Sequence, residues 1–335
     1  MKLKVFTILL ILLQSLQGLC QDIHFSQFNM SPLSLNPALT GLFDGDYRFA
    51  SNYRGQWASV PVPYSTFSGS CDMNLLGNRL GNDKVGAGVF IYNDKAGDAD
   101  FGTAQFSTSV SYIKSIKKHT VSIGLQPGIV QRTINFPKLR FDSQYNGDTY
   151  DPSASTGETF LYNNYTYFNL SAGVNWLYKP KDRVSYNLGA GLFNINSPKQ
   201  SFFSNNDVLL FRKFILHGGT QFRISNKLDL LPAFMFLKQY KYTEVSVGTS
   251  LKFLLEKRHG QNQAFYTSCW LRYADAIILS TGYDYQNFNF GLSYDINISG
   301  LRPASNGRGG LEIAIIYIIK KVPPVINKKI CPTYL

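Results

Sequence analysis

The sequence predicts an all-β protein, a transmembrane antiparallel β-barrel of about fourteen strands with an N-terminal plug or strap segment. Three observations predict it. Segments of about ten residues with alternating apolar and polar side chains recur along the chain, and that length carries a tilted strand across a bilayer. Their polar faces carry Ser, Gly and Asn, where the exposed face of a soluble sandwich would carry Lys, Glu and Arg. Aromatic residues reach 15% (21 Tyr and 25 Phe) while charged residues fall to 16%, a balance suited to strands between lipid and water.

Residues 1–20, MKLKVFTILLILLQSLQGLC, read as a secretory signal peptide. Lys2 and Lys4 form the positive end, Val5 to Leu13 the apolar core, and Gly18 and Cys20 offer small side chains before Gln21. The apolar run is too short for a membrane anchor. Acylation of Cys20 is the alternative, disfavoured by the bulk of Leu19. Residues 21–45 form the plug or strap. Pro32 and Pro37 interrupt any helix and no alternation supports a strand, yet Ile23, Phe25, Phe28, Met30, Leu33, Leu35 and Leu39 require burial.

The barrel occupies residues 46–319. In Asp46 to Trp57 the odd positions Tyr47, Phe49, Tyr53 and Trp57 oppose Arg48, Asn52, Arg54 and Gln56. The pattern recurs over Thr66 to Met73, Val85 to Tyr92, Ala104 to Tyr112, Val121 to Ile129, Phe168 to Trp176 and Val184 to Leu192. It continues over Phe214 to Phe222, Leu228 to Leu237, Glu244 to Phe253, Phe265 to Tyr273, Ile277 to Tyr283, Phe288 to Ile296 and Leu311 to Tyr317. Leu228 to Leu237 is largely apolar on both faces and carries Pro232. Tight links such as Lys114 to Lys118 contrast with long polar ones such as Thr133 to Asn164, which suits short periplasmic turns and long extracellular loops. Residues 320–335 form a periplasmic tail, in which Pro323 and Pro324 end the sheet.

The net charge of +12 places arginines in a polar lumen and lysines near headgroups; an exported chain has no call on nucleic acid. Arg48 and Arg54 are expected to pair with Asp72 on the neighbouring strand, with a partner's acidic surface as the alternative target. Cys71 and Cys269 fall on outward positions as unpaired fillers. The four histidines, His24, His119, His217 and His259, share no metal-ligand spacing, and His217 reads as a lumen hydrogen-bonding residue. Asp98 and Asp100 read as a solvated loop tip. There is no GxSxG and no phosphate loop, so no catalytic, cofactor or metal residues are expected, and the chain is not expected to be an enzyme.

The segment QDIHFSQFNMSPLSLNPALTG, with the YRGQW that follows, resembles the PorP/SprF family of type IX secretion system membrane proteins. The residues that carry the resemblance are Phe25 and Gln27, then Leu35, Asn36, Pro37, Ala38 and Gly41, then Tyr53, Arg54, Gln56 and Trp57, and Cys331 and Pro332 near the end. Thr333 and Gly55 depart from the family pattern. The resemblance implies an outer-membrane location in a Bacteroidetes-type cell. It implies an accessory role in type IX protein secretion, with the secretion machinery and large adhesin-like cargo bearing a C-terminal sorting domain as partners. Gliding motility is one setting, and a periplasmic or peptidoglycan-linked partner at the tail is a further expectation. The alternative function is a FadL-like or porin-type transporter of small or hydrophobic solutes.

Overall fold

The computed structural model describes residues 25–56, 64–75, 83–97, 99–157, 162–202, 208–255, 263–300 and 307–320. The expected signal peptide and the C-terminal tail beyond Lys320, with Asp98, His24 and His259, lie outside the described residues.

Fourteen strands form a closed barrel in which every strand pairs antiparallel with its neighbours in sequence and β1 closes on β14. The strands are β1 (Tyr47–Gln56), β2 (Tyr64–Leu75), β3 (Lys84–Ala96), β4 (Phe101–Ile116), β5 (His119–Thr133), β6 (Asn164–Lys181) and β7 (Val184–Phe193). The second half comprises β8 (Lys213–Arg223), β9 (Leu228–Gln239), β10 (Tyr242–Leu254), β11 (Gln263–Arg272), β12 (Ala276–Tyr285), β13 (Phe288–Asn297) and β14 (Arg308–Ile319). Closure leaves no strand edge, the condition for a sheet to cross hydrocarbon.

Each alternating segment of the sequence coincides with one strand; Asp46 and Tyr273 fall just outside β1 and β11, Trp57 lies outside the described residues, and several strands run further. β6 extends over 18 residues, past the expected Phe168 to Trp176. The added residues at its start, Asn164 to Tyr167, lie beyond the apolar belt, where water on both sides removes the need to alternate. Outward positions such as Phe49, Phe106, Ile123 and Leu292 are exposed toward the lipid. Cys71 and Cys269 are free thiols on that face. Stacked rings mark one rim: His119 on Tyr178 at 4.4 Å, Tyr178 on Tyr186 at 6.0 Å, and Phe288 on Tyr317 at 4.3 Å between centroids. This rim also bears both ends of the barrel, at Tyr47 and Ile319, and the short turns after β4, β6, β8 and β12. In outer-membrane barrels that end faces the periplasm.

Residues 25–41 lie inside the barrel, and residues 42–46 lead out at its rim to β1. A 3-10 turn at Phe28–Met30 leads to a single helical turn, α1 (Pro32–Leu35), and a second 3-10 turn at Pro37–Leu39. Each proline after the first turn sits at a helix-start position, where its missing N–H is no loss and its fixed φ favours the turn. The apolar side chains are covered: Leu33 is fully buried, and Phe25, Phe28 and Leu35 nearly so, each worth about 1.5–3 kcal/mol. The two-sided apolar character of β9 follows from this. Its inward Met235 and Leu237 pack with Phe28, Leu35, Phe193, Ile215, Trp270 and Ile278 in one cluster inside the lumen.

Across the lumen the wall instead makes way for the plug backbone. A Cβ at Gly86 would overlap the Thr40 carbonyl, and one at Gly124 would overlap that of Pro37. Gly124→Val is expected to lift the Pro37 turn off β5 while the barrel stays closed. Limited proteolysis cutting within residues 25–45, with unchanged heat-modifiable gel mobility, checks this. On the lipid face, Leu125→Arg at the middle of β5 is expected to destabilise the barrel by about 2–4 kcal/mol, read from urea unfolding in lipid vesicles.

Candidate functional site: a lumen filled by the N-terminal segment

The plug is tied to β1, β2, β4, β5, β6, β8, β11, β13 and β14 by hydrogen bonds. Two ionic clusters hold its ends. At the first, the Glu312 carboxylate accepts from the backbone N–H of Ser26 at 2.7 Å and of Gln27 at 2.9 Å. The Gln27 amide donates to the Glu312 carbonyl at 3.1 Å. The Ser26 hydroxyl donates to Asp295 at 2.8 Å and accepts from Arg272 at 2.7 Å. Arg272 also pairs with Asp275 at 2.9 Å and lies 3.5 Å from Glu244.

Arg54 belongs to this cluster, donating to Asp295 at 2.8 Å. The expected pairing of Arg54 with Asp72 is therefore corrected. Arg48 is the residue opposite Asp72 in the register, and Arg54, six residues further along β1, stands opposite Thr66. Six residues of strand span about 20 Å, beyond any side-chain reach. Arg54 lies instead opposite Glu312 on β14.

At the second cluster Arg48 does pair with Asp72, through Nε at 2.9 Å and Nη2 at 2.7 Å. Asp72 also accepts from the Gly41 N–H at 2.7 Å, and Arg48 donates to the Leu39 carbonyl at 2.9 Å. Gly41 has φ of 68°, the left-handed region that glycine adopts without strain. Ser26 thus sits level with Arg54 and Gly41 level with Arg48, so the plug runs along most of the lumen. Below it, Lys320 holds the Asp44 carboxyl under its usual range through a 2.6 Å bond. The pair is exposed and worth under about 1 kcal/mol, present at neutral pH and lost as pH falls through that lowered value.

Between the clusters, Asn36 organises the middle. Its Oδ1 accepts from the Ala38 N–H at 2.9 Å. Its Nδ2 donates to the Val174 carbonyl at 2.9 Å and lies 3.1 Å from His217 Nε2. Gly173 gives this side chain room. Ala38 is fully buried, and its carbonyl accepts from Ser122 at 2.7 Å. Thr40 meets the Ser109 hydroxyl at 2.6 Å, and its carbonyl accepts from Ser111 at 2.5 Å.

The structure thus gathers Phe25, Gln27, Leu35, Asn36, Pro37, Ala38, Gly41 and Arg54 in the lumen. Gln56, with its amide oxygen turned to Arg54, accepts from that guanidinium at 2.5 and 3.0 Å. Tyr53 is the exception, exposed on the lipid face. Trp57, Cys331 and Pro332 lie outside the described residues. Asp100 pairs with Lys138 at 2.5 Å on an exposed loop. Sequence reasoning missed Arg272, Asp295 and Glu312. Their signal was a charge at an inward position of a strand whose other buried positions are uncharged.

A cavity of about 380 Å³ remains beside the plug, roofed by Phe28 and Met30 and walled by Trp270, Leu231, Asn187 and Ser280, among others. It lies in the half of the lumen nearer the chain-end rim.

Fold and lumen together define a plugged outer-membrane β-barrel. The chain belongs to the PorP/SprF family of type IX secretion system membrane proteins, whose model matches residues 18–317. No curated protein matches the chain by sequence. Among solved structures it is similar to the toluene transporter TbuX of Ralstonia pickettii, at 11% identity and a TM-score of 0.51, covering 86% of this chain and 92% of that one. It also resembles the toluene transporter TodX of Pseudomonas putida, at 9% identity and a TM-score of 0.48, covering 88% and 94%. At 11% identity the likeness to TbuX is one of barrel fold alone.

Arg48→Ala would strand the Asp72 carboxylate in the wall and is expected to cost about 3–5 kcal/mol. Replacing both by Ala is expected to restore part of that loss, a coupling readable from denaturant midpoints of the single and double variants.

Proposed function

We propose that the protein is a closed docking platform of the type IX secretion apparatus. It supports the secretion or surface attachment of large adhesin-like cargo carrying a C-terminal sorting domain, with gliding motility as one setting. The observation that carries this reading is the plug, hydrogen-bonded around the wall and pinned at both ends by buried ionic groups. A lumen held this way gives no passage to a polypeptide, so cargo would be handled on the outside of the barrel or at its rims. The plug's apolar residues are spent on the wall, which leaves the loops, the rim and the C-terminal residues as the surfaces offered to partners.

The second reading is a transporter of small solutes, favoured by the cavity beside the plug. Two measurements separate them. In planar bilayers the platform is expected to be electrically silent, and in cells its deletion is expected to abolish surface display of a sorting-domain adhesin that co-purifies with it. Solute uptake by liposomes together with normal adhesin display would reject the platform. Deleting residues 322–335 is expected to reduce cargo display while barrel abundance stays unchanged; unchanged display would remove the tail from the mechanism.

A further inference from the structure

The cavity beside the plug differs chemically from the lumen around it. None of its lining side chains is Asp, Glu, Lys or Arg. The neighbouring walls are ionic, with Arg272 and Asp295 on one side and Lys252 and Asp284 toward the rim. An ion entering would lose its water and meet no opposite charge. The cavity is therefore built for a neutral occupant.

Its walls are two-sided. Phe28, Met30, Leu231 and Trp270 supply an apolar surface, with Phe28 set edge-on to Trp270 at 5.3 Å between centroids. Ser185, Asn187, Ser250, Ser268 and Ser280 supply hydroxyl and amide groups. Ser268 donates to Ser250 at 2.8 Å, while Ser185, Asn187 and Ser280 make no side-chain hydrogen bond among the described residues. A pure hydrocarbon would strip water from these groups and offer them nothing, at the full desolvation cost of each. A sugar ring matches both sides, since it presents apolar C–H faces and a periphery of hydroxyls. The volume, about 380 Å³, falls at the lower end of small-molecule sites, which run from ~300 to ~1,000 Å³. Asn289 also lines a second cavity of about 340 Å³ at the rim, with Asp44, Lys252 and Lys320, which marks the way in.

We propose that this cavity binds a neutral polyhydroxylated ring compound, of one or two sugar rings, entering from the chain-end rim. The inference does not depend on the secretion role. It is tested on the full-length protein in a detergent without a sugar head group, by calorimetric titration with chitobiose and with maltose. The expected result is saturable binding of at least one disaccharide. Asn187→Leu and Ser280→Leu, which fill the cavity, should weaken it by about tenfold or more. Should either leucine variant fail to fold, Ser280→Ala, which removes a hydroxyl and adds no volume, is expected to weaken binding by about threefold. Ser107→Ala, on a wall away from the cavity, should leave it unchanged. Absence of saturable binding by both disaccharides overturns the proposal, as does binding that the cavity variants leave intact. Saturable binding of toluene with neither disaccharide bound overturns it in favour of a hydrocarbon site.

Discussion

Closing fourteen strands satisfies every backbone group that faces hydrocarbon, but it encloses a space wider than the wall's own side chains fill. That space is the constraint on which the rest of the molecule depends. Here it is filled by the chain's first described residues, whose irregular backbone brings its own unpaired carbonyls and N–H groups. These need partners in the wall, and the wall supplies them: Ser111 and Ser122 to carbonyls, Glu312 and Asp72 to N–H groups. The small polar residues of the lumen are thus the counterpart of a plug whose backbone lies against them.

The plug's energetics divide between its two halves. Phe28 and Leu35 bury apolar surface against Met235, Leu237 and Trp270, a non-directional gain that holds the segment in the lumen. The ionic clusters add direction. Buried ion pairs contribute little net stability, because desolvation offsets most of the attraction, but losing one partner is costly. Arg48 with Asp72, and Arg54 and Arg272 with Asp295, therefore act as positional locks. They place Gly41 and Ser26 at defined heights, and the turns between them follow.

The family-specific residues gain a physical meaning from this arrangement. Asn36 joins two turns of the plug to β6 and β8 through one side chain. Pro37 starts a turn that lies on Gly124, and Gly41 takes a backbone conformation that other residues reach only with strain. Gln27 and Arg54, distant in sequence, meet through Glu312 and Asp295 in one cluster. A polar lumen and a tethered plug thus belong together in this member of the PorP/SprF family.

The alternation of side chains determined the barrel, because in a strand the medium on each face selects every second residue. Fourteen segments could therefore be counted, and Phe49 and Cys71 assigned to lipid, from local pattern alone. The pairing of Arg48 with Asp72 was legible for the same reason, since strands consecutive in sequence pair side by side and place the two opposite each other. What only the tertiary structure decided is the lumen. Arg54 meets Asp295 and Glu312, more than 240 residues away in sequence, because closure brings β14 and β13 beside β1. The path of residues 25–46 was equally hidden, since an irregular segment has no period to read, and its course is set by which walls leave room and which offer partners. Local periodicity records the solvent on each face; contacts across a closed lumen depend on closure itself, which no stretch of sequence contains.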